Sequence, residues 1–224
     1  IQSIGGGGGA SGNVKHGAYL GGRPDSGSIV RGGTVGFASQ QPIKTFGLNS
    51  PGVLLQSIGG GGGYVGSARK RVELGGTIHR LAAASAGNIE TINRSLISTS
   101  NKRSPGLVAQ SIGGGGGFIL SGESAVLGSK NEKENRLTLH ERAGNTKLIN
   151  KGAIQTQGEH SMGVIIQSIA NGGGIGSSNS GNVDLRSKSQ SESGEITIEN
   201  SGTIETLGTG SHGIVAQSIS GSGG

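Results

Sequence analysis

The sequence predicts an all-β protein: a right-handed parallel β-helix (a solenoid) of about ten coils with glycine-rich loops. The first observation behind this prediction is the tripeptide Gln-Ser-Ile, which occurs five times along the 224 residues. The second is an Ile-x-Thr motif at a constant distance before the last four copies. The third is composition, because 49 glycines accompany three Phe, two Tyr and no Trp. A core without large rings must be built from many thin layers of Ile, Val, Leu and Ala.

The Gln-Ser-Ile copies divide the chain into repeats. The copies begin at Gln2, Gln56, Gln110, Gln167 and Gln217, so the intervals are 54, 54, 57 and 50 residues. We therefore interpret residues 1–224 as one solenoid domain with repeats at 2–55, 56–109, 110–166 and 167–216 and a partial repeat at 217–224. Because the chain begins and ends inside a repeat, we expect it to be part of a longer protein.

A run of glycines follows each of the first three Gln-Ser-Ile copies, at 5–9, 59–63 and 113–117. Ordering a glycine costs about 0.5–1 kcal/mol relative to alanine, so a repeated run needs a structural reason. Three reasons stay open at this stage: a tight corner with φ > 0 against the neighbouring coil, a packed polyglycine-II-like segment, or a loop outside the solenoid. A phosphate-binding loop is disfavoured, because no Lys follows any run.

The Ile-x-Thr motif predicts an inward-facing stack. Its isoleucines precede the Gln of the next repeat by thirteen residues in every copy, which indicates a rigid unit. We expect these isoleucines to lie on one stacked face and the Gln-Ser-Ile segments on another. The four isoleucines are Ile43, Ile97, Ile154 and Ile204.

The last repeat predicts the size of a coil. Residues 195–219 alternate between apolar and polar side chains in three short segments separated by turn residues. Three strands in about 24 residues is the length of one three-faced coil. The other half of each repeat then forms a second, looser coil, and about ten coils give a rod on the order of 50 Å long.

Catalytic and metal-binding residues are not indicated. There is no cysteine, and Asp25 and Asp184 are the only aspartates and lie in unrelated registers. The recurring serine of Gln-Ser-Ile indicates packing or a hydrogen-bond ladder, since a nucleophile is needed once and not five times. His212 stands where other repeats have Pro51, Pro105 or Met162, which predicts an exposed turn and no ligand site. We expect no enzyme activity, no metal and no cofactor.

The net charge of +6 suits an anionic partner. Basic residues are concentrated at Arg69, Lys70 and Arg71 and at Lys102 and Arg103, which makes these five the candidate contact residues for an acidic glycan, lipopolysaccharide or another anionic surface. The alternative is that they are solvated loops. Specific nucleic-acid binding is disfavoured because no aromatic platform accompanies the charges. No apolar run reaches the ~20 residues of a membrane helix, so we expect no membrane insertion.

The segments 200–219 (NSGTIETLGTGSHGIVAQSI) and 51–63 (PGVLLQSIGGGGG) resemble the passenger region of large autotransporter proteins of Gram-negative bacteria. The resemblance covers essentially the whole chain. It implies a right-handed β-helix that is secreted or displayed at the outer membrane, with roles in adhesion, aggregation, biofilm or virulence. It implies contacts with host or bacterial surface polymers or self-association. The alternative is a phage or secreted fibre-tip adhesin whose scaffold is packed polyglycine.

Overall fold

The computed structural model of the protein describes residues 1–22, 28–78, 83–128, 130–131, 141–186 and 191–221. In these residues the chain forms 27 β-strands and no helix. Each strand pairs in parallel with strands one repeat away, which produces six stacked sheets of four or five strands and one two-stranded sheet. The predicted parallel β-helix is therefore confirmed.

The strands are numbered along the chain, and each coil contributes one strand to each large sheet. Sheet 1 holds the Gln-Ser-Ile motif and consists of β1 (Gln2–Ile4), β7 (Val53–Ile58), β14 (Leu107–Ile112), β21 (Val164–Ile169) and β27 (Ile214–Ile219). Sheet 2 follows the glycine runs and consists of β2 (Gly9–Val14), β8 (Gly63–Ala68), β15 (Gly117–Ile119) and β22 (Gly174–Gly176). Sheet 3 consists of β3 (Ala18–Leu20), β9 (Val72–Leu74), β16 (Ala125–Leu127) and β23 (Val183–Leu185).

The remaining sheets complete each coil. Sheet 4 is the two-stranded pair β10 (Thr77–Ile78) and β17 (Lys130–Asn131). Sheet 5 consists of β4 (Ile29–Arg31), β11 (Ala83–Ser85), β18 (Glu141–Arg142) and β24 (Ser191–Glu192). Sheet 6 consists of β5 (Val35–Ser39), β12 (Ile89–Asn93), β19 (Thr146–Asn150) and β25 (Ile196–Asn200). Sheet 7 consists of β6 (Ile43–Thr45), β13 (Ile97–Thr99), β20 (Ala153–Thr156) and β26 (Thr203–Thr206).

One coil is a whole repeat, and the predicted coil size is wrong. Gln56 pairs with Gln2 on one side and Gln110 on the other, so neighbouring strands lie 54 residues apart. The three strands predicted in 195–219 do form, but they are only part of one circuit. The four repeats are thus four coils, and the five strands of sheet 1 span roughly 20 Å along the axis instead of 50 Å.

Three hydrophobic cores run through the stacked coils. The first lies between sheets 1, 6 and 7 and includes Ile97 and Leu107. The second lies between sheets 2 and 3, and the third lies between sheets 1 and 2 and includes Val108 and Phe118. Since Leu107 and Val108 enter different cores, sheet 1 is buried on both faces. Gln110 and its apolar neighbours are therefore all buried.

The predicted isoleucine stack is confirmed. The Ile-x-Thr isoleucines pair in register through sheet 7 and pack in or against the first core: Ile43, Ile97, Ile154 and Ile204.

The repeats differ in length mainly in the segment between sheets 3 and 5. Equivalent residues of sheets 3 and 5 are separated by 11, 11, 15 and 7 residues in successive coils, from Leu20 to Arg31, Leu74 to Ser85, Leu127 to Arg142 and Leu185 to Glu192.

Candidate functional site

The glutamines of sheet 1 form a continuous ladder that fixes the scaffold. The Nε2 atom of Gln56 donates to Oε1 of Gln110 at 2.7 Å, and Gln110 donates to Gln167 at the same distance. The ladder extends to Gln2 and Gln217 at its two ends. Within it, Gln110 is fully buried. These amides therefore satisfy one another from coil to coil.

The recurring serines form a second hydrogen-bond ladder, one of the two roles that the sequence left open. The hydroxyl of Ser57 donates to the carbonyl of Gly33 at 2.8 Å and accepts from the N–H of Gly87 at 2.7 Å. Ser111 donates in turn to the carbonyl of Gly87 at 2.9 Å. Each hydroxyl thus links sheet 1 to the chain segment that enters sheet 6, and this shared structural role accounts for the recurrence.

The glycine runs are buried corners, the first of the three open interpretations. Gly62 and Gly63 have φ values of 105° and 136°, and the equivalent glycines of the next coil have 110° and 132°. A Cβ atom on Gly63 would overlap the carbonyl of Gly9 in the preceding coil. The runs in the second and third coils are buried. Glycine is required here because backbone segments of adjacent coils touch without room for a side chain.

Three of the five predicted contact residues form the turn between β8 and β9. Arg69, Lys70 and Arg71 are all exposed. Their backbones rest on the equivalent turn of the first coil, since the N–H of Lys70 donates to the carbonyl of His16 at 3.4 Å. Lys15 and His16 are exposed on that turn. Sequence reasoning missed them, although Lys15 and Arg69 both follow the Gln of their repeat by thirteen residues.

The other two predicted residues lie in the turn between β13 and β14. Lys102 is exposed, and Arg103 is partly buried with a left-handed backbone, φ 54°. The turn is closed by Thr99, whose hydroxyl donates to the carbonyl of Ser104 at 2.5 Å. The Thr of Ile-x-Thr thus has a structural role as the residue that closes this turn.

Asn49 brings the two turns together. It lies one coil below Arg103, and its N–H donates to the carbonyl of Lys102 at 3.1 Å. Its side-chain Nδ2 donates to Oγ of Ser67 at 3.2 Å, two residues before Arg69. The two predicted clusters therefore lie on one side of the molecule. We call the combined surface the basic ridge: Lys15, His16, Arg69, Lys70, Arg71, Lys102 and Arg103.

Two cations of the basic ridge already have carboxylate partners. Arg71 pairs with Glu73 at 2.7 Å, and Lys102 pairs with Glu159 at 2.9 Å. The hydrogen bond and positive charge of Lys102 lower the pKa of the Glu159 carboxyl below its usual value. Such pairs at an exposed surface are weak and are screened by salt, so a ligand anion can replace the carboxylate.

Three other cations lie in the stacked turns between sheets 2 and 3 of the first two coils. Among the described residues, Lys15, Arg69 and Lys70 have no carboxylate within ion-pair distance. These three exposed cations are therefore open to a ligand.

Two apolar side chains border the basic ridge. Phe46 is 72% exposed and Leu48 is 43% exposed, in the first-coil turn that underlies Lys102. Asn101 of the second coil donates through Nδ2 to the carbonyl of Phe46 at 3.1 Å. The sequence shows no aromatic platform beside these charges, but coil stacking brings Phe46 to the turn beneath Lys102.

The expectation of an exposed turn at the His212 position is wrong for two of its equivalents. His212 is exposed, but Pro105 is buried and Met162 packs against the third core. This position borders sheet 2, so an apolar side chain here gains contacts wherever sheet 2 is built of large residues. In the described part of the chain, no three His, Asp or Glu side chains are grouped to hold a metal ion.

No helix in the described residues is long and apolar enough to span a membrane. Comparison of the chain with protein-family models, curated proteins and solved structures found no match.

Proposed function

We propose that the chain is a structural and adhesive rod of a bacterial cell surface, a segment of an autotransporter passenger, without catalytic activity. One observation carries this proposal: the side chains that recur in every coil hold neighbouring coils together or close turns. The glutamine amides bond to one another, the serine hydroxyls bond to glycine backbones, and the Thr hydroxyls close turns. What differs between coils is the exposed turns and the segments between sheets 3 and 5.

The contact surface of this rod is its exposed turns, and its partner is an acidic glycan or lipopolysaccharide. A rigid frame with variable loops is a common arrangement for recognition. The five residues first identified from sequence supply positive charge for such a partner: Arg69, Lys70, Arg71, Lys102 and Arg103.

The alternative, a fibre tip built on packed polyglycine, has less support. It needs glycine segments that pack on one another as threefold helices. The glycine runs instead turn between sheets 1 and 2, and parallel strand ladders form the scaffold. In a cell-surface rod, these strand ladders are themselves the scaffold.

Surface display is tested on intact cells of the source organism. Antibody raised against the purified chain should label intact cells, and external protease should remove the label. Labelling that requires permeabilised cells would refute the proposed location.

Adhesion is tested with inert beads that carry the purified chain. We expect these beads to attach to bacterial or epithelial cell layers and to one another, whereas beads carrying an unrelated β-helix of similar length do not. Equal attachment by the two kinds of bead would refute the adhesive role.

A further inference from the structure

We infer that the basic ridge and the adjoining Phe46 and Leu48 form one binding site for a linear acidic polysaccharide, with cations on the anionic groups and the Phe46 ring on a sugar face. This inference rests on the proposed adhesive function and assigns its ligand and its residues. It joins the turn between sheets 2 and 3 to the turn between sheets 7 and 1, across the first two coils.

The charge distribution restricts the site to these coils. Residues 2–109 contain eleven Lys and Arg against three Asp and Glu, whereas residues 110–216 contain eight against ten. The corresponding turns of the third coil carry carboxylates: Glu123 donates its N–H to the carbonyl of Lys70, and Glu159 lies above Lys102. A polyanion is therefore attracted to the first two coils and repelled by the carboxylates beyond them.

Phe46 is exposed because of its position in the turn, and not because it lies in the first coil. Its equivalents in the second and third coils, Ser100 and Gln157, are exposed although coils cover them on both sides. The equivalents of Leu48, which are Lys102 and Glu159, are exposed as well. Both side chains thus point outward, beside the cations.

A sugar polymer fits this surface better than a lipid bilayer does. Pyranose rings offer C–H faces to an aromatic ring, and their carboxylate or sulfate groups accept charge-assisted hydrogen bonds from Lys and Arg. Cations in adjacent coils repeat at about 4.8 Å, which is comparable to the length of one sugar unit. A bilayer needs more apolar surface, because even a single myristoyl chain binds only marginally.

The charge test compares two triple variants of the purified chain. The ridge variant carries Lys15→Gln, Arg69→Gln and Lys70→Gln, which leaves both ion pairs intact. The control variant carries Arg31→Gln, Arg94→Gln and Lys151→Gln, three exposed cations outside the basic ridge. Both variants lose three charges, so the total field changes equally.

Binding is measured by calorimetry with heparin, polygalacturonate and uncharged dextran. We expect the wild type to bind the two acidic polymers and not dextran. The ridge variant should lose about tenfold or more in affinity, as expected for lost charge-assisted contacts, and the control variant much less. Affinity should fall as salt rises to physiological strength, where the Debye length is about 8 Å. Equal losses in the two variants would overturn the site.

The aromatic test uses residues that the repeat itself supplies. Phe46→Ser introduces the residue found at the equivalent position of the second coil, and Leu207→Ser is the matched control, 67% exposed in the same turn of the fourth coil. Phe46→Ser should weaken polygalacturonate binding severalfold and leave inorganic polyphosphate binding unchanged, because polyphosphate has no ring face.

Two outcomes would overturn the polysaccharide assignment. One is an equal effect of Phe46→Ser on polyphosphate and polygalacturonate. The other is tighter binding of phosphatidylglycerol vesicles than of either glycan, which would assign the ridge to a membrane surface. Failure of glycan binding while coated beads still attach to cells would reject this inference and leave the adhesive function standing.

Discussion

The glutamine ladder should be a major source of stability, and Gln110→Leu tests it. Gln110 is fully buried, accepts from Gln56 at 2.7 Å and donates to Gln167 at 2.7 Å. A leucine fills most of the same space but breaks both bonds, and it also removes the bond from Nε2 of Gln110 to the carbonyl of Gly63 at 3.3 Å. Gln56 keeps a contact with the carbonyl of Gly9 at 3.2 Å, whereas the Oε1 atom of Gln167 loses its donor inside the protein.

The expected loss follows from these contacts. The three lost hydrogen bonds are worth about 1 kcal/mol each, and a buried acceptor left unpaired costs about 1–3 kcal/mol. Gln110→Leu should therefore lower the free energy of unfolding by about 4–6 kcal/mol. Gln217→Leu is the control, since Gln217 takes part in one ladder bond, from Gln167, and is only partly buried. Its expected cost is about 1 kcal/mol.

Urea unfolding gives the two free energies, and amide hydrogen exchange shows where stability is lost. Each coil contacts mainly its neighbours, so Gln110→Leu should lower protection around β7, β14 and β21 more than in the rest of the rod. Equal losses for the two variants, or an unchanged stability for Gln110→Leu, would show that the ladder contributes nothing beyond filling space.

Four further substitutions, one of them a control, test individual positions, each by urea unfolding. Tyr64→Phe removes a buried hydroxyl without a partner, at a position where the next coil has Phe118, and should raise stability by about 1 kcal/mol. Burial raises the pKa of the Tyr64 phenol, so above about pH 10 the unfolded chain loses this proton first and wild-type stability falls with pH, a decline that the variant should lack. Thr91→Val removes another unpartnered hydroxyl in sheet 6 and should also stabilise by about 1 kcal/mol; a destabilised variant would indicate a partner for that hydroxyl. Gly117→Ala, where φ is 132° and a Cβ meets backbone, should prevent folding of that coil, whereas Gly36→Ala, with open space around it, should be neutral.

Local patterns predicted the strands, the inward isoleucines and the serine ladder, but not the size of a coil. The strands that contain Ile196, Ile204 and Ile214 have the same sequence pattern whether they form a complete coil or only part of a longer coil. The choice depends on which strand lies one coil away, and this pairing joins residues about 54 positions apart. The constant spacing of the motifs within a repeat does not show which strands of different repeats are paired.

The candidate site was likewise only partly predictable from the sequence. Arg69, Lys70 and Arg71 are adjacent in the sequence, so their cluster was visible without a structure. Lys15 and Phe46 are single residues in unremarkable segments, and only coil stacking makes them neighbours of the cations. Alignment of the repeats on the Gln-Ser-Ile motif would have identified Lys15, because its offset equals that of Arg69.

The identity of one coil with one repeat has a consequence for how such a gene changes. Unequal recombination between the gene segments that encode two copies of Gln-Ser-Ile and the glycines after them would delete or duplicate one complete coil. All ladders then stay in register, since Gln again meets Gln and each glycine corner again meets a glycine corner. The solenoid becomes shorter or longer by about 4.8 Å. A lineage can thus change the length of the solenoid in single-coil steps, without passing through an unfolded intermediate sequence.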